Sequence, residues 1–136
     1  MLPGNVAGST ISPVRGEIWH ARLEPTEGAE QGKARPVVVL SVARVGRPSI
    51  RLCVPLMGFQ PSHAGKLWYR PIAPSSGNNL DKLSTADVMQ ARTLDVLRFE
   101  YRIGVLESIE VEVLAAMLAL CVGHTGSPSG AAPTST

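Results

Sequence analysis

The sequence predicts a mainly β domain closed by one C-terminal helix, an α+β arrangement, and three stretches carry that expectation. Residues 17–23 alternate, with Trp19, Ala21 and Leu23 on one side and Ile18, His20 and Arg22 on the other, the period-two pattern of a strand with one face buried. Residues 37–40 are an unbroken Val-Val-Val-Leu run, as a strand covered on both faces requires. Residues 108–123 are rich in apolar side chains. Ser108 is placed to cap a helix there, Glu110 and Glu112 sit in its positive first turn, and Gly123 ends it.

The remaining elements follow in order. Residues 24–35 hold Pro25, Gly28 and Gly32 among charged groups, a composition for a long surface loop. Pro36 stands at the first position of the second strand, where a ladder donor is dispensable. Ile50, Leu52 and Val54 alternate with Arg51 and Cys53 as a third strand, broken by Gly58, Pro61 and Gly65. Residues 66–72 read as an edge strand, because Pro71 lacks a backbone donor, and residues 74–79 as a turn cluster. A further strand is expected over 85–90 and one or two helical turns around Leu94, Val96, Leu97 and Phe99. The final strand is expected over 101–106. Within the helix, Ile109, Val113, Ala116, Met117 and Leu120 form the stripe expected to pack on the sheet. Leu114, Leu118 and Cys121 widen the apolar surface enough to engage a second subunit.

One folded body over residues 14–123 is expected, between flexible tails at 1–13 and 124–136 built mostly of Gly, Ser, Pro, Ala and Thr. The formal charge of +2 is too mild for a protein that coats nucleic acid non-specifically, so any such contact must be local. Few aromatic residues argue against a surface built mainly of base-stacking rings. Cys53 and Cys121 lie in apolar runs without metal-ligand spacing, which reads as buried thiols in a reducing compartment. No run approaches the roughly 18 apolar residues of a membrane span, and the start lacks a signal-peptide pattern. The expected location is the cytoplasm, with no membrane partner.

Two segments, RGEIWHARLEPTEGAEQGKARPVVVLS at 15–41 and STADVMQARTLDVLRFEYRIGVL at 84–106, resemble the MazF/PemK toxin family. The matching motifs are Arg15-Gly16-Glu17, then Glu30-Gln31-Gly32 followed by Arg35-Pro36, then Gln90, Arg92, Thr93 and Asp95. Each motif alone is weak, but their order and spacing are specific. The resemblance implies an SH3-like barrel that forms a homodimer, cleaves single-stranded RNA without metal or other cofactor, and pairs with an antitoxin peptide that occupies the RNA groove. The expected products are a 2′,3′-cyclic phosphate and a 5′-hydroxyl.

Such cleavage needs a group to take the 2′-hydroxyl proton, positive charge on the phosphate, and a proton for the leaving 5′-oxygen. Arg35 is the candidate for the second task, since a guanidinium stays charged and its fork matches two phosphate oxygens. Without the resemblance, Arg35 would read as a solvated charge beside a strand. Glu30 and Gln31 either contact RNA and orient Arg35 or contact only water, and Lys33 is a further phosphate anchor. Gln90 and Arg92 would share a face on a strand and line a groove; alternatively Arg92 pairs with Asp95 to hold a turn. Trp19 reads as core, whereas Phe59, in the loop after the third strand, is the aromatic candidate for a base contact.

One position departs from the resemblance. Where the family carries a threonine beside its arginine, this chain has Met57, and a thioether cannot donate a proton. Three explanations stay open: Ser62 or His63 supplies the missing group, Arg35 and backbone suffice at reduced rate, or the protein binds RNA or antitoxin without cutting. A further alternative is the gyrase-binding activity of CcdB, which shares the barrel, because fold alone does not decide function.

Overall fold

A computed structural model describes residues 11–23 and 33–124 of the 136-residue chain. Seven strands lie among the described residues: β1 (Glu17–Arg22), β2 (Ala34–Val39), β3 (Ile50–Gly58), β4 (Tyr69–Ile72), β5 (Ser84–Asp87), β6 (Arg92–Asp95) and β7 (Phe99–Val105). One helix follows, α1 (Ser108–Cys121). The sheet order is β4-β5-β3-β2-β1-β7, with β6 paired to β3 off that path, and every pairing is antiparallel.

The Val37–Leu40 run is covered on both faces, as expected, because alternate side chains enter different cores. Val38 and Leu40 join Ile18, Val54, Leu56, Ala86, Leu106 and Leu114, while Val37 and Val39 join Ala21, Cys53, Leu94 and Phe99. Fully burying a side chain of this size is worth about 1.5–3 kcal/mol, so β2 stabilises two cores at once. Strand β2 starts at Ala34, which makes Pro36 its third residue rather than its first.

Strand β3 has nine residues because it serves two partners along one edge. Ile50 to Cys53 pair with β6, and Leu56 to Gly58 pair with β5. Pro55, which has no N–H, falls in the gap between those ladders, where a proline does least harm. The hand-over curls the sheet around the cores. Strand β4 lies at the end of the sheet, so Pro71 sits on an edge strand as its chemistry predicts.

The Arg15-Gly16-Glu17 motif is a clasp. Arg15 donates to the Leu40 carbonyl at 2.7 Å and pairs with Glu112 on α1 at 2.8 Å. Gly16 has φ +92° and is bonded to both Val39 and Leu106, a backbone conformation that a side chain would strain. Glu17 accepts from the Val14 amide at 3.0 Å and from Trp19 Nε1 at 2.9 Å.

Several expectations shift. Residues 11–13 belong to the folded body: Pro13 is fully buried, and its carbonyl accepts Arg51 Nε at 2.7 Å. The rest of the expected N-terminal tail, 1–10, and of the C-terminal one, 125–136, lies outside the described residues. The strand expected over 85–90 stops at Asp87 and turns into a 3-10 helix, Val88–Gln90. The helical turns expected near Leu94 reduce to one 3-10 turn, Val96–Arg98, capped by the Asp95 carboxylate, which accepts from the Leu97 amide at 2.9 Å.

In α1, Ser108 is the first helical residue and Glu107 the N-cap, with no side-chain capping bond. The buried stripe is Val111 and Leu114, supported by Met117, Leu118 and Cys121. Ile109 is 64% exposed and Leu120 51% exposed, so the expected stripe is mostly the outward one. A helix apolar nearly all round has no sequence-readable direction; here the Arg15–Glu112 pair and the bidentate Arg70–Glu110 pair, both bonds 2.9 Å, set its rotation.

Candidate active site

A pocket of about 340 Å³ opens where β2, β3 and β5 lie side by side. Its polar lining is Lys33, Arg35, Asp87 and Gln90, and its apolar wall is Leu23, Pro55 and Met57. Strand register explains the grouping. Val37 pairs with Pro55, so the same register carried two residues on sets Met57 across from Arg35. On the other side of β3, Leu56 pairs with Ala86, and the next rung sets Asp87 across from Pro55. Arg35 and Asp87 therefore flank β3 on one face, two strand spacings across and two residues along, roughly 12 Å apart at the backbone.

Both groups carry an orphaned atom. Among the described residues, Arg35 Nε and Asp87 Oδ1 are buried without a hydrogen-bond partner, and an unsatisfied buried polar atom costs about 1–3 kcal/mol. Burial pushes the Asp87 carboxyl above its ordinary value of 3.8; the Met89 and Gln90 amides and the charge of a protonated His63 oppose that shift without closing a capping bond. A guanidinium and a proton-hungry carboxylate facing one cleft can hold an anion and accept a proton beside it.

Of the residues singled out from sequence, Arg35, Lys33 and Gln90 come together here. Glu30 and Gln31 lie outside the described residues. Gln90 and Arg92 do not share a strand: Gln90 ends the 3-10 helix after β5, and Arg92 opens β6 opposite Cys53, off the pocket lining. Phe59 is half-buried, follows β3, and rests edge-on against His63 at 6.0 Å.

Ser62 is exposed on a 3-10 turn and His63 is buried in it, and neither lines the pocket. His63 Nδ1 accepts the Gln60 amide at 3.1 Å and lies 2.8 Å from Thr85 Oγ1, and the ring packs on Tyr69 at 4.5 Å. Thr85 is paired with Met57 in register, yet its hydroxyl is fully buried and turned to His63. His63 thus ties the segment after β3 to β5, two residues from Asp87.

Asp87 was not among the residues singled out from sequence. The available signal was an acid closing a strand of small residues, Ser84-Thr85-Ala86, with no basic residue three or four positions away. Among the described residues, no group of three or more His, Cys, Asp or Glu converges as metal ligands would. Cys53, a strand away, is sealed in the core, where burial pushes its thiol up to about 12. It is not a nucleophile at neutral pH.

Residues 14–122 match PemK-like, MazF-like toxins of type II toxin–antitoxin systems. The chain belongs to this family. Solved structures agree on the fold of this MazF/PemK-family toxin. A mycobacterial endoribonuclease in complex with its cognate antitoxin superposes with a TM-score of 0.65 at 18% identity, covering 85% of this chain and 99% of its own. The Mycobacterium tuberculosis toxin MazF-mt6 gives 0.62 at 20% identity, covering 81% and 99%. MazF from Deinococcus radiodurans gives 0.64 at 22% identity, covering 82% and 97%. The toxin has no helix among the described residues long and apolar enough to cross a membrane.

Proposed function

We propose that this toxin is a metal-independent endoribonuclease of single-stranded RNA, with Arg35 and Asp87 as its catalytic pair. The observation that carries this reading is the pair of orphaned buried atoms, Arg35 Nε and Asp87 Oδ1, lining one cleft. The energy cost of leaving them unpaired is offset when a phosphate and its adjacent ribose hydroxyl enter.

In the proposed reaction Asp87 takes the 2′-hydroxyl proton, O2′ bonds to phosphorus, and the P–O5′ bond breaks to give a 2′,3′-cyclic phosphate. Arg35 neutralises the charge that builds on the non-bridging oxygens. Lys33, exposed at the pocket mouth, is the proton-bearing cation available to the departing 5′-oxygen. Burial makes Asp87 a stronger base than a solvated carboxylate, which suits it to that role. This assignment replaces Ser62 and His63 as the answer to Met57: His63 becomes a positioning residue that holds β5, and Asp87 supplies the chemistry that a threonine would not need to supply.

The mycobacterial and Deinococcus radiodurans relatives are solved with an antitoxin, MazE in the latter. The matching partner here is a peptide that covers the Arg35 cleft. The outward apolar side of α1, with Ile109 and Leu120, is the contact for a second copy.

The test is incubation of the purified protein with a long RNA in EDTA, followed by mapping of the cut ends. Discrete cuts bearing 5′-hydroxyls that vanish in Arg35→Ala and Asp87→Asn are expected. Intact RNA together with gyrase inhibition would sink the nuclease reading.

A further inference from the structure

On the face of the sheet opposite Arg35, one rung carries three rings. His20 is paired with Pro36 on β2 and with Tyr101 on β7, so the three side chains stand side by side across the sheet. The His20 and Tyr101 rings are stacked, 4.8 Å apart and 16° from parallel. His20 is held from behind by Glu100, whose Oε1 is 2.9 Å from its Nδ1. Tyr101 remains 55% exposed. These rings form the floor of a cleft of about 460 Å³, with Asp81, Arg102 and Asn79 at its rim. That volume is in the range of small-ligand sites.

We propose that this cleft is a second subsite of the toxin, which stacks one base of the RNA on Tyr101 and hydrogen-bonds its edge to Asp81. The proposal rests on the ribonuclease reading above. Three features favour a base over other occupants. A flat ring at the end of an ordered stack offers a π-face to any nucleobase. The rim carries a carboxylate, Asp81, placed to accept from the donors on a base edge. Arg35 and Pro36 are consecutive near the Ala34 end of β2 and face opposite ways, so an RNA strand that turns round that end of β2 reaches both sites.

The ring ladder is preorganised, with Glu100 fixing His20 and His20 fixing Tyr101, which lowers the ordering cost of stacking.

The test uses the full chain and an oligonucleotide spanning a mapped cut site, 2′-O-methylated at the scissile ribose so that it binds without reacting. Tyr101→Ala is expected to weaken binding about tenfold, within what loss of one stacked base costs, while Tyr101→Phe binds within about twofold of the parent because the ring remains. With cleavable RNA, KM rises in Tyr101→Ala and kcat holds, since the residue is remote from the reacting atoms. Wild-type affinity and KM in Tyr101→Ala, with the protein folded and cutting RNA, would overturn the subsite and leave the nuclease reading intact. Failure of the parent protein to cut RNA at all would overturn both.

Discussion

Arg35 and Asp87 each hold a buried polar atom with no partner among the described residues, on strands separated only by β3. Removing a group that stabilises transition-state charge costs about 10²–10³ in kcat, so Arg35→Ala is expected to cut RNA that much more slowly, measured in single turnover. Asp87 makes a two-sided prediction. Its carboxyl is raised on folding, so the native state holds the proton more tightly than the unfolded chain. Native stability therefore falls as pH rises through the raised value and recovers as pH drops through it. Asp87→Asn should abolish cleavage yet melt above the parent at pH 7, with the advantage shrinking by pH 4; an equal or lower melting temperature at pH 7 would count against a desolvated carboxylate. Met57 is half-exposed on the pocket wall. Met57→Thr adds a donor across from Arg35, and a rise in kcat of about tenfold or more is expected, the scale of one hydrogen bond to a charged group.

Single elements show why some stretches are legible and others are not. Strand β2 was readable because both of its faces are covered, and only a continuous apolar run satisfies that. The end of β5 was not, since Thr85 to Gln90 has no period that separates a strand from the 3-10 turn at Val88–Gln90. The packing of α1 was misread for a related reason: apolar residues surround it, and long-range ion pairs from Arg15 and Arg70 choose the buried side. Strand β7 carries a sharper constraint. A Cβ on Gly104 would come within 2.5 Å of the Asn78 carbonyl oxygen, and Asn78 is locked by its Oδ1 bonds from the Ser75 and Leu80 amides and its own bond to the Ala73 carbonyl. Gly104→Ala is expected to cost about 1–3 kcal/mol, the usual penalty for overpacking, read as a lower urea midpoint.

At the scale of the whole molecule, α1 leaves Ile109 at 64% and Leu120 at 51% exposed on its outer side. Isolated apolar residues on a surface mean little, but two on one helical face, followed by Val122 at 75%, suit a second copy. Ile109→Lys is expected to shift the protein from dimer to monomer in sedimentation at micromolar concentration without lowering its helix content. A parent protein that sediments only as monomer would remove the dimer. The modest charge of +2 implies that RNA affinity comes from local cations at Lys33 and Arg35, so binding should lose few counterions and depend weakly on salt.

Local chemistry alone determined the mainly β class, the buried β2, the edge position of β4 and the existence of the last helix, because each is written in spacing or in proline and glycine chemistry; Arg35 was singled out only by the family motif around it. Tertiary structure decided the rest. It brought Asp87 to Arg35 across β3, withdrew His63 into the core against Thr85, and stacked His20 on Tyr101. The reason is that sheet pairing joins residues far apart in the chain, and no pattern within a single strand records which partner lies on its next rung.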